Sequence, residues 1–419
     1  MLSLRKDIFI IDRKAGTSLV YSPLRGKAFY VETNLEEMIL RYKNGESLSK
    51  KEWNSTLGHY LVQLEKENVY VPKQKVFNPR GITFILSERC NLDCSYCFAK
   101  EYRDNLVLST QKIETLVKDY ISIVKRSEYV FTFIGGGEPT LTWSKLQYAI
   151  DIICKYVPED AKLCIAIVTN ATLLTKKRLA YLLRMKEKIH ISVSFDVLPD
   201  IQNSNRKYAK TGKNTFEVVH STLGRLKELG IPFSIRSTIT ADNVHRQKEM
   251  VDFIGQHYCP KYIHFEPVTS VENTEEFYTT YVTEFIEAFK RAQKHHIKLR
   301  NSITHRWRRI NTSFCNGELC VTPNGDIVFC HRLASKNKNT YLNYVYGNVT
   351  DENANIDIEK LTSIAVYQKH EKCKECFAQW ICAGGCLAEK QMPENMQRMH
   401  CDYVRRMVTE LIELEIISN

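Results

Sequence analysis

The chain has 419 residues, 43% of them hydrophobic, with 59 Lys and Arg against 48 Asp and Glu, a net charge of +11, and 14 cysteines. At roughly 100–200 residues per domain this length predicts two or three domains with ample core, which excludes a disordered chain and a small disulfide-stapled scaffold. No run reaches the ~18 consecutive apolar residues of a membrane span, and the start, MLSLRKDIFIIDRK, has charges where a signal peptide needs its apolar stretch, so a cytoplasmic protein is expected. In a reducing compartment thiols are more often metal ligands or catalytic groups than disulfides, and their spacing decides which. The positive charge says less: it reads as a spread of solvated lysines, or as a leaning toward an acidic peptide or a nucleic acid.

Residues 1–79 open with β-like runs, DIFIID and SLVYSPLRGKAFYVE, the second turning at Pro23 to Gly26. Two helical stretches follow: NLEEMILRYKNG, with Asn34 as N-cap and Gly45 as its end, and a second from about Lys50 to Glu67 before VYVP. They predict a small α+β unit without chemistry of its own.

From 80 to about 268, the runs GITFILS, YVFTFIGG, CIAIVTN, IHISVSFD, FSIRSTIT and YIHFEPV alternate with amphipathic helical segments. This repeat predicts parallel strands joined by right-handed crossovers, an α/β fold of the partial (β/α)6 TIM-like barrel type with its chemistry at the C-terminal strand ends. A helical connector at about 275–296 closes the segment 80–300. Residues 301–419 are dense in cysteine, with a hairpin CVTPNGDIVFC turning at Pro323 to Gly325, a polar loop at 334–343, a compact cluster at 373–386 and a terminal helix from about 402.

SERCNLDCSYCF places Cys90, Cys94 and Cys97 directly after the first barrel strand. A 4Fe–4S cluster normally takes four thiolates, so three from one loop leave an iron open to an outside ligand; a structural zinc knuckle is the alternative. One β/α unit later lies the glycine run of FIGGGEPTL, which taken alone reads as a turn more than as a site. Farther on, Cys373, Cys376, Cys382 and Cys386 form Cys-x2-Cys-x5-Cys-x3-Cys, a run that zinc would also satisfy. Cys320 sits in the hairpin, where its side chain is either a ligand or faces a core; Cys154, Cys164 and Cys259 read as packing residues.

The loop CNLDCSYCF resembles the cluster motif of radical S-adenosylmethionine (SAM) enzymes, in which the open iron is chelated by the amino and carboxylate groups of SAM. The resemblance extends along the barrel. Gly136, Gly137, Glu138 and Pro139 match the residues that hold the SAM amino group. Thr169 and Asn170 in VTNATLL match a TNG segment, with Ala171 where glycine is usual. Ser194 and Asp196 in ISVSFD match a segment whose serine contacts the ribose, with Val197 replacing its glycine. Arg206 matches an arginine that approaches the SAM carboxylate, and Arg236 is a second candidate. Singly, Asp196 and Arg236 each read as an ordinary strand-end hydrogen bond or a surface ion pair; as an ordered set these residues favour SAM.

Cys315, Gly325, Cys330, the four-cysteine run with its ICAGGC core, and Cys401 resemble the SPASM extension of radical SAM proteins. That family implies two auxiliary 4Fe–4S clusters, three clusters in all: Cys373, Cys376, Cys382 and Cys401 for the distal one, Cys315, Cys330 and Cys386 for the nearer one. The nearer set is one thiolate short, to be supplied by Cys320 or left open to substrate.

The resemblance implies that a reduced cluster cleaves SAM to a 5′-deoxyadenosyl radical, which abstracts hydrogen from a peptide or protein substrate, with flavodoxin or ferredoxin as electron donor. The order of elements in residues 1–79 is similar to the leader-recognition domain of maturases for ribosomally made peptides, which add a leader as an edge strand. The expected reaction is an oxidative cross-link, thioether, C–C or C–O, with formylglycine formation or epimerisation as alternatives. In sulfatase maturases an aspartate base follows the cysteine matched by Cys330; His331 stands there, which argues against formylglycine formation and makes His331 the candidate base. An RNA-modifying radical SAM enzyme is disfavoured because no RNA-binding motif is visible, and neither nucleic acid nor membrane is an expected partner. A zinc-stabilised binding module is the non-enzymatic alternative.

Overall fold

In a computed structural model, which describes residues 4–12, 16–66, 79–100, 103–270, 272–315, 317–365 and 371–418, the chain forms two compact units that interleave along the sequence. A terminal unit is assembled from Met1–Lys75, Ser302–Cys315 and Gln368–Asn419, and a barrel unit from Val76–Asn301 and Asn316–Tyr367.

In the terminal unit, β1 (Phe9–Asp12), β2 (Thr17–Ser22) and β3 (Lys27–Glu32) form an antiparallel sheet in that order, with the expected turn ending at Gly26 in a left-handed conformation, φ +62°. The next helix, Glu36–Lys43, follows a 3-10 turn at Thr33–Leu35, so Leu35 rather than Asn34 occupies the N-cap; Asn34 is spent inside the turn. The helix expected from Lys50 to Glu67 is two helices, Lys50–Trp53 and Thr56–Lys66. Asn54 and Ser55 break it, and the Ser55 hydroxyl accepts from the Gly58 N–H at 3.1 Å to start the second. Glu67 and VYVP lie outside the described residues. Ile8, Val20, Ile39, Tyr42 and Leu61 bury the helices against the sheet. Helix Glu394–Ser418 starts directly after Pro393, well before 402, so Cys401 lies within it. The Tyr30 hydroxyl donates to Glu413 at 2.9 Å, tying that helix to β3.

The barrel unit contains, in chain order, β4 (Ile82–Phe84), β5 (Leu92–Cys94), β6 (Glu128–Phe133), β7 (Lys162–Thr169), β8 (Ile189–Ser194), β9 (Arg206–Tyr208), β10 (Phe233–Ile239), β11 (Ile263–Pro267), β12 (Leu299–Arg300), β13 (Leu319–Val321), β14 (Asp326–Val328), β15 (Val345–Val349) and β16 (Ala354–Ile356). The six expected strands pair in parallel in the order β4-β6-β7-β8-β10-β11, and amphipathic helices connect them. β12 extends this run beyond β11. The predicted hairpin forms as β13 and β14, but β13 also pairs in parallel with β4, so the hairpin, β15 and β16 complete one eleven-stranded mixed sheet. The strand pattern was readable locally; its partner was not, because the pairing is remote in sequence. Among the described residues no helix is long and apolar enough to cross a membrane.

Candidate active site and thiol sets

In the barrel unit the chain leaves β4, passes Cys90 and enters β5, whose antiparallel pairing with β9 sets Cys94 opposite Arg206. The Cys97 N–H donates to the Cys94 carbonyl at 3.2 Å, and Ser95 is fixed to Asn205 through its N–H and its hydroxyl, both at 3.0 Å. Two guanidiniums flank the thiols: an Arg103 Nη lies 3.4 Å from Cys97 Sγ, and an Arg206 Nη lies 4.0 Å from Cys94 Sγ. Burial pushes the Cys90 thiol up to about 11 and raises Cys94 as well, against the opposing pull of the arginines. Buried thiols that repel one another's charge beside fixed cations suit a bound metal centre, which supplies the missing positive charge.

Asp196 is fully buried and accepts on one carboxylate oxygen from Arg206 Nε at 3.1 Å and from the Tyr96 hydroxyl at 2.5 Å. The Arg206 guanidinium also lies over the Tyr96 ring, 5.3 Å from its centre. Burial opposes the Arg206 charge, but Asp196, Tyr96 and Cys94 outweigh it and hold the group firmly protonated. Asp196 is thus an anchor beneath the cysteine loop, and Arg206 is committed to it. Tyr96 and Arg103 escaped the sequence reading; the signal for Tyr96 was its place between Cys94 and Cys97.

The glycines of the next loop answer first to the protein itself. A Cβ on Gly137 would lie 1.9 Å from the Arg89 carbonyl oxygen, and one on Gly136, at φ +59°, would lie 2.8 Å from Ile85. Glu138 is buried. One of its oxygens accepts from the Thr140 N–H (3.0 Å), the Thr140 hydroxyl (2.5 Å) and the Thr169 hydroxyl (2.7 Å); the other accepts from the Asn170 N–H at 2.7 Å. Burial raises this carboxyl while those donors pull it back. The second oxygen keeps one acceptor position among the described residues, which fits an ammonium donor. Pro139 opens the 3-10 turn Pro139–Thr142. The Asn170 side chain donates to Asn91 at 2.9 Å, and Asn91 to Thr172 at 2.8 Å, tying the end of β7 to the cysteine loop. Ala171 and Val197, the two positions where glycine was replaced, both have left-handed backbones, φ +60° and +69°. They keep a conformation that glycine adopts without strain.

Ser194 ends β8 opposite Arg236, which stands opposite His264, and His264 opposite Arg300. Arg236 is exposed, makes no side-chain hydrogen bond among the described residues, and feels Glu266, Tyr262, Arg300 and Arg332.

Cys330, His331 and Glu318 converge in the barrel unit, their ligand atoms within 4.8 Å of one another. Glu318 accepts from His331 Nδ1 at 2.9 Å and from its backbone N–H at 3.1 Å. Burial works to raise the Glu318 carboxyl, but the His331 interactions hold it below its ordinary value. His331 also borders a small cavity with Glu88, Phe98 and Gly136, the neighbours of the cysteine and glycine loops. Cys320 is wholly buried among Ile85, Val328, Ala334 and Tyr341, which favours packing over ligation. Cys259, expected in a core, is exposed.

In the terminal unit Cys373, Cys376, Cys382 and Cys401 interact: burial first, then the other three thiols, push Cys382 up to about 12. Ala383, Gly384 and Gly385 all have positive φ and reverse the chain after Cys382. Arg405 interacts with Cys376. Four mutually repelling thiols beside a cation form a donor set for a metal cluster. Cys315 and Cys386 belong to this unit and Cys330 to the barrel unit.

Residues 84–254 match the radical SAM superfamily. The barrel unit therefore carries a radical SAM domain. Over 329 residues it is 22% identical to the cysteine-type anaerobic sulfatase-maturating enzyme of Clostridium perfringens, covering 72% of this chain and 86% of that one. Native anSMEcpe with bound AdoMet shares its fold at a TM-score of 0.65, with 18% identity over 81% of this chain and all of the other. Streptococcus suis SuiB bound to precursor peptide SuiA superposes at 0.55, with 14% identity over 93% of this chain and 96% of that one. A radical SAM domain implies a 4Fe–4S cluster and SAM.

Proposed function

We propose that the protein is a SPASM-type maturase that abstracts hydrogen from a ribosomally made peptide and forms an oxidative cross-link, a thioether, C–C or C–O bond. The observation that carries this reading is the pair of thiol sets: three cysteines in a polar loop at the strand ends, and four gathered in the terminal unit. In this reading residues 80–300 are the catalytic barrel, 301–419 the auxiliary-cluster region, and 1–79 the element that receives a leader.

Cys90, Cys94 and Cys97 hold the SAM-binding cluster, and Gly136, Gly137, Glu138 and Pro139 receive the SAM amino group, with Glu138 offering its remaining acceptor position. Thr169 and Asn170 shape the adjoining turn. Ser194 reaches the ribose, and Arg206, anchored by Asp196, faces the carboxylate, with Arg236 farther along the barrel. Cys373, Cys376, Cys382 and Cys401 hold a distal auxiliary cluster, and Cys315, Cys330 and Cys386 a nearer one, with Cys320 left to the core. When bound and reduced, the first cluster with SAM supplies a 5′-deoxyadenosyl radical. The chain's own task is to orient the substrate carbon, exclude water and take up a proton at His331, which Glu318 holds by Nδ1. The enzyme acts in the cytoplasm with an electron donor such as flavodoxin or ferredoxin.

Formylglycine formation is the second reading, favoured by the similarity to a sulfatase-maturating enzyme. Anaerobic reconstitution with iron and sulfide tests the assignment: brown visible absorption and 5′-deoxyadenosine release from SAM under dithionite are expected. A colourless protein that binds zinc and releases none would overturn it.

A further inference from the structure

Within the terminal unit a cavity of about 650 Å³ opens between the β2–β3 turn, segment 307–310 and the end of helix Glu394–Ser418. Its floor is apolar: Leu24, Trp380, Ile381 and Ile412 are buried there, and Trp307 is half-buried. Its rim is basic. Lys27 on one wall and Arg308 and Arg309 on the other are exposed, and Glu415, the one acid among the lining residues, is ion-paired to Arg308 at 2.8 Å.

The walls are held in place before any partner arrives. Arg306 donates through Nε to the Phe314 carbonyl at 3.0 Å and stacks on the Phe314 ring at 3.7 Å, while the Asn311 N–H donates to the Trp380 carbonyl at 2.8 Å. Arg308 is left-handed, φ +61°, a conformation that an arginine adopts only when its neighbours impose it. On the opposite wall Arg25 is buried, donating to the Leu64 carbonyl at 2.6 Å and facing Asp7, so it belongs to the scaffold rather than to the rim.

We propose that this groove is a docking site for an acidic peptide segment bearing bulky apolar side chains, the recognition segment of the substrate. The volume lies within the roughly 300–1,000 Å³ of ligand pockets, enough for a few side chains on the apolar floor. The cations come from two walls instead of converging on one point, which suits carboxylates spaced along a chain better than a single small anion. Such docking differs from strand addition at β3, since it uses side chains where strand addition uses backbone. The identity of the segment as substrate rests on the maturase reading; the groove's preference for an acidic amphipathic peptide does not.

The test uses the full reconstituted chain and a fluorescein-labelled dodecapeptide, (Glu-Leu-Glu-Phe)3, with analogues carrying Lys or Gln in place of Glu. Saturable binding of the acidic probe is expected, with quenching of emission from Trp307 and Trp380. The double variant Lys27→Glu, Arg309→Glu, both at exposed positions, weakens the acidic probe at least tenfold and gains binding of the Lys probe. The single Arg309→Gln variant weakens the acidic probe less. No saturable binding, an affinity unmoved by the double variant, or equal affinity for Lys and Glu probes would each overturn the groove. If the wild type binds the probe as expected but releases no 5′-deoxyadenosine from SAM, the enzyme reading fails and the groove stands; release without binding gives the reverse.

Discussion

The two thiol sets are built on opposite plans. In the barrel unit three cysteines lie on a loop stitched by side-chain hydrogen bonds to the ends of β7 and β9, with Arg103, Arg206, Glu138 and Asp196 around them. In the terminal unit four cysteines come from short turns and helices; the other three thiols act on Cys382, and Arg405 acts on Cys376 and Cys401. A site that must exchange a charged small molecule needs polar groups oriented in advance, whereas a site that only holds its cluster needs a complete set of donors. In the proposed maturase reading the contrast corresponds to a site that binds SAM and a site that holds an auxiliary cluster.

The largest effect follows from taking one cysteine from each. Cys94→Ala is expected to reduce 5′-deoxyadenosine release to background while the iron of the terminal unit stays; Cys382→Ala loses that iron and retains release without substrate. Iron content and product assay on both variants decide it, and release surviving in Cys94→Ala would break the contrast. Next, Asp196→Asn leaves the buried Arg206 charge without its partner, an expected cost of about 3–5 kcal/mol read as a lowered barrel-unit melting point. An unchanged melting point would mean that the anchor is dispensable.

The terminal unit has its own buried acid. Burial pushes the Asp7 carboxyl up to about 6 from 3.8, against the pull of the Leu24 N–H, Ser22 and Arg25. A carboxyl raised on folding binds its proton more tightly in the native state, so stability falls as pH rises from about 4 to about 6, by about 3 kcal/mol for a shift of this size. Asp7→Asn should flatten that slope in chemical unfolding followed from pH 4 to 7. A slope of the same steepness in the variant would move the effect to another group. The smallest effect concerns the left-handed pair. Ala171→Gly relieves about 1–2 kcal/mol of backbone strain and loses one buried methyl, about 0.8 kcal/mol, for a net gain of about 0.5 kcal/mol. Val197→Gly loses a whole buried side chain and is expected to destabilise.

The six apolar strands lie where the residues predicted, and the cysteine loop and the glycine run follow β4 and β6 as the sequence order implies. What escaped were relations between remote positions. Nothing near Glu138 announces that Thr169 and Asn170 supply two of the four donors to its carboxylate, and nothing near Glu318 announces His331. Asn34 and the stretch after Lys50 were misread for a local reason, since asparagine and serine serve caps, turns and helix breaks with the same side-chain bonds. The terminal unit, made from three separated segments, has no signature that a linear reading can follow.

The pairing of β13 with β4 has a consequence for how the protein is made. β4 precedes the cysteine loop, and one of its edges is covered only when residues roughly 240 positions later arrive. At a synthesis rate of roughly 5–20 residues per second, that edge stays open on the ribosome for roughly 10–50 s. The nascent loop is thus exposed to solvent, chaperones and oxygen long before its sheet is complete.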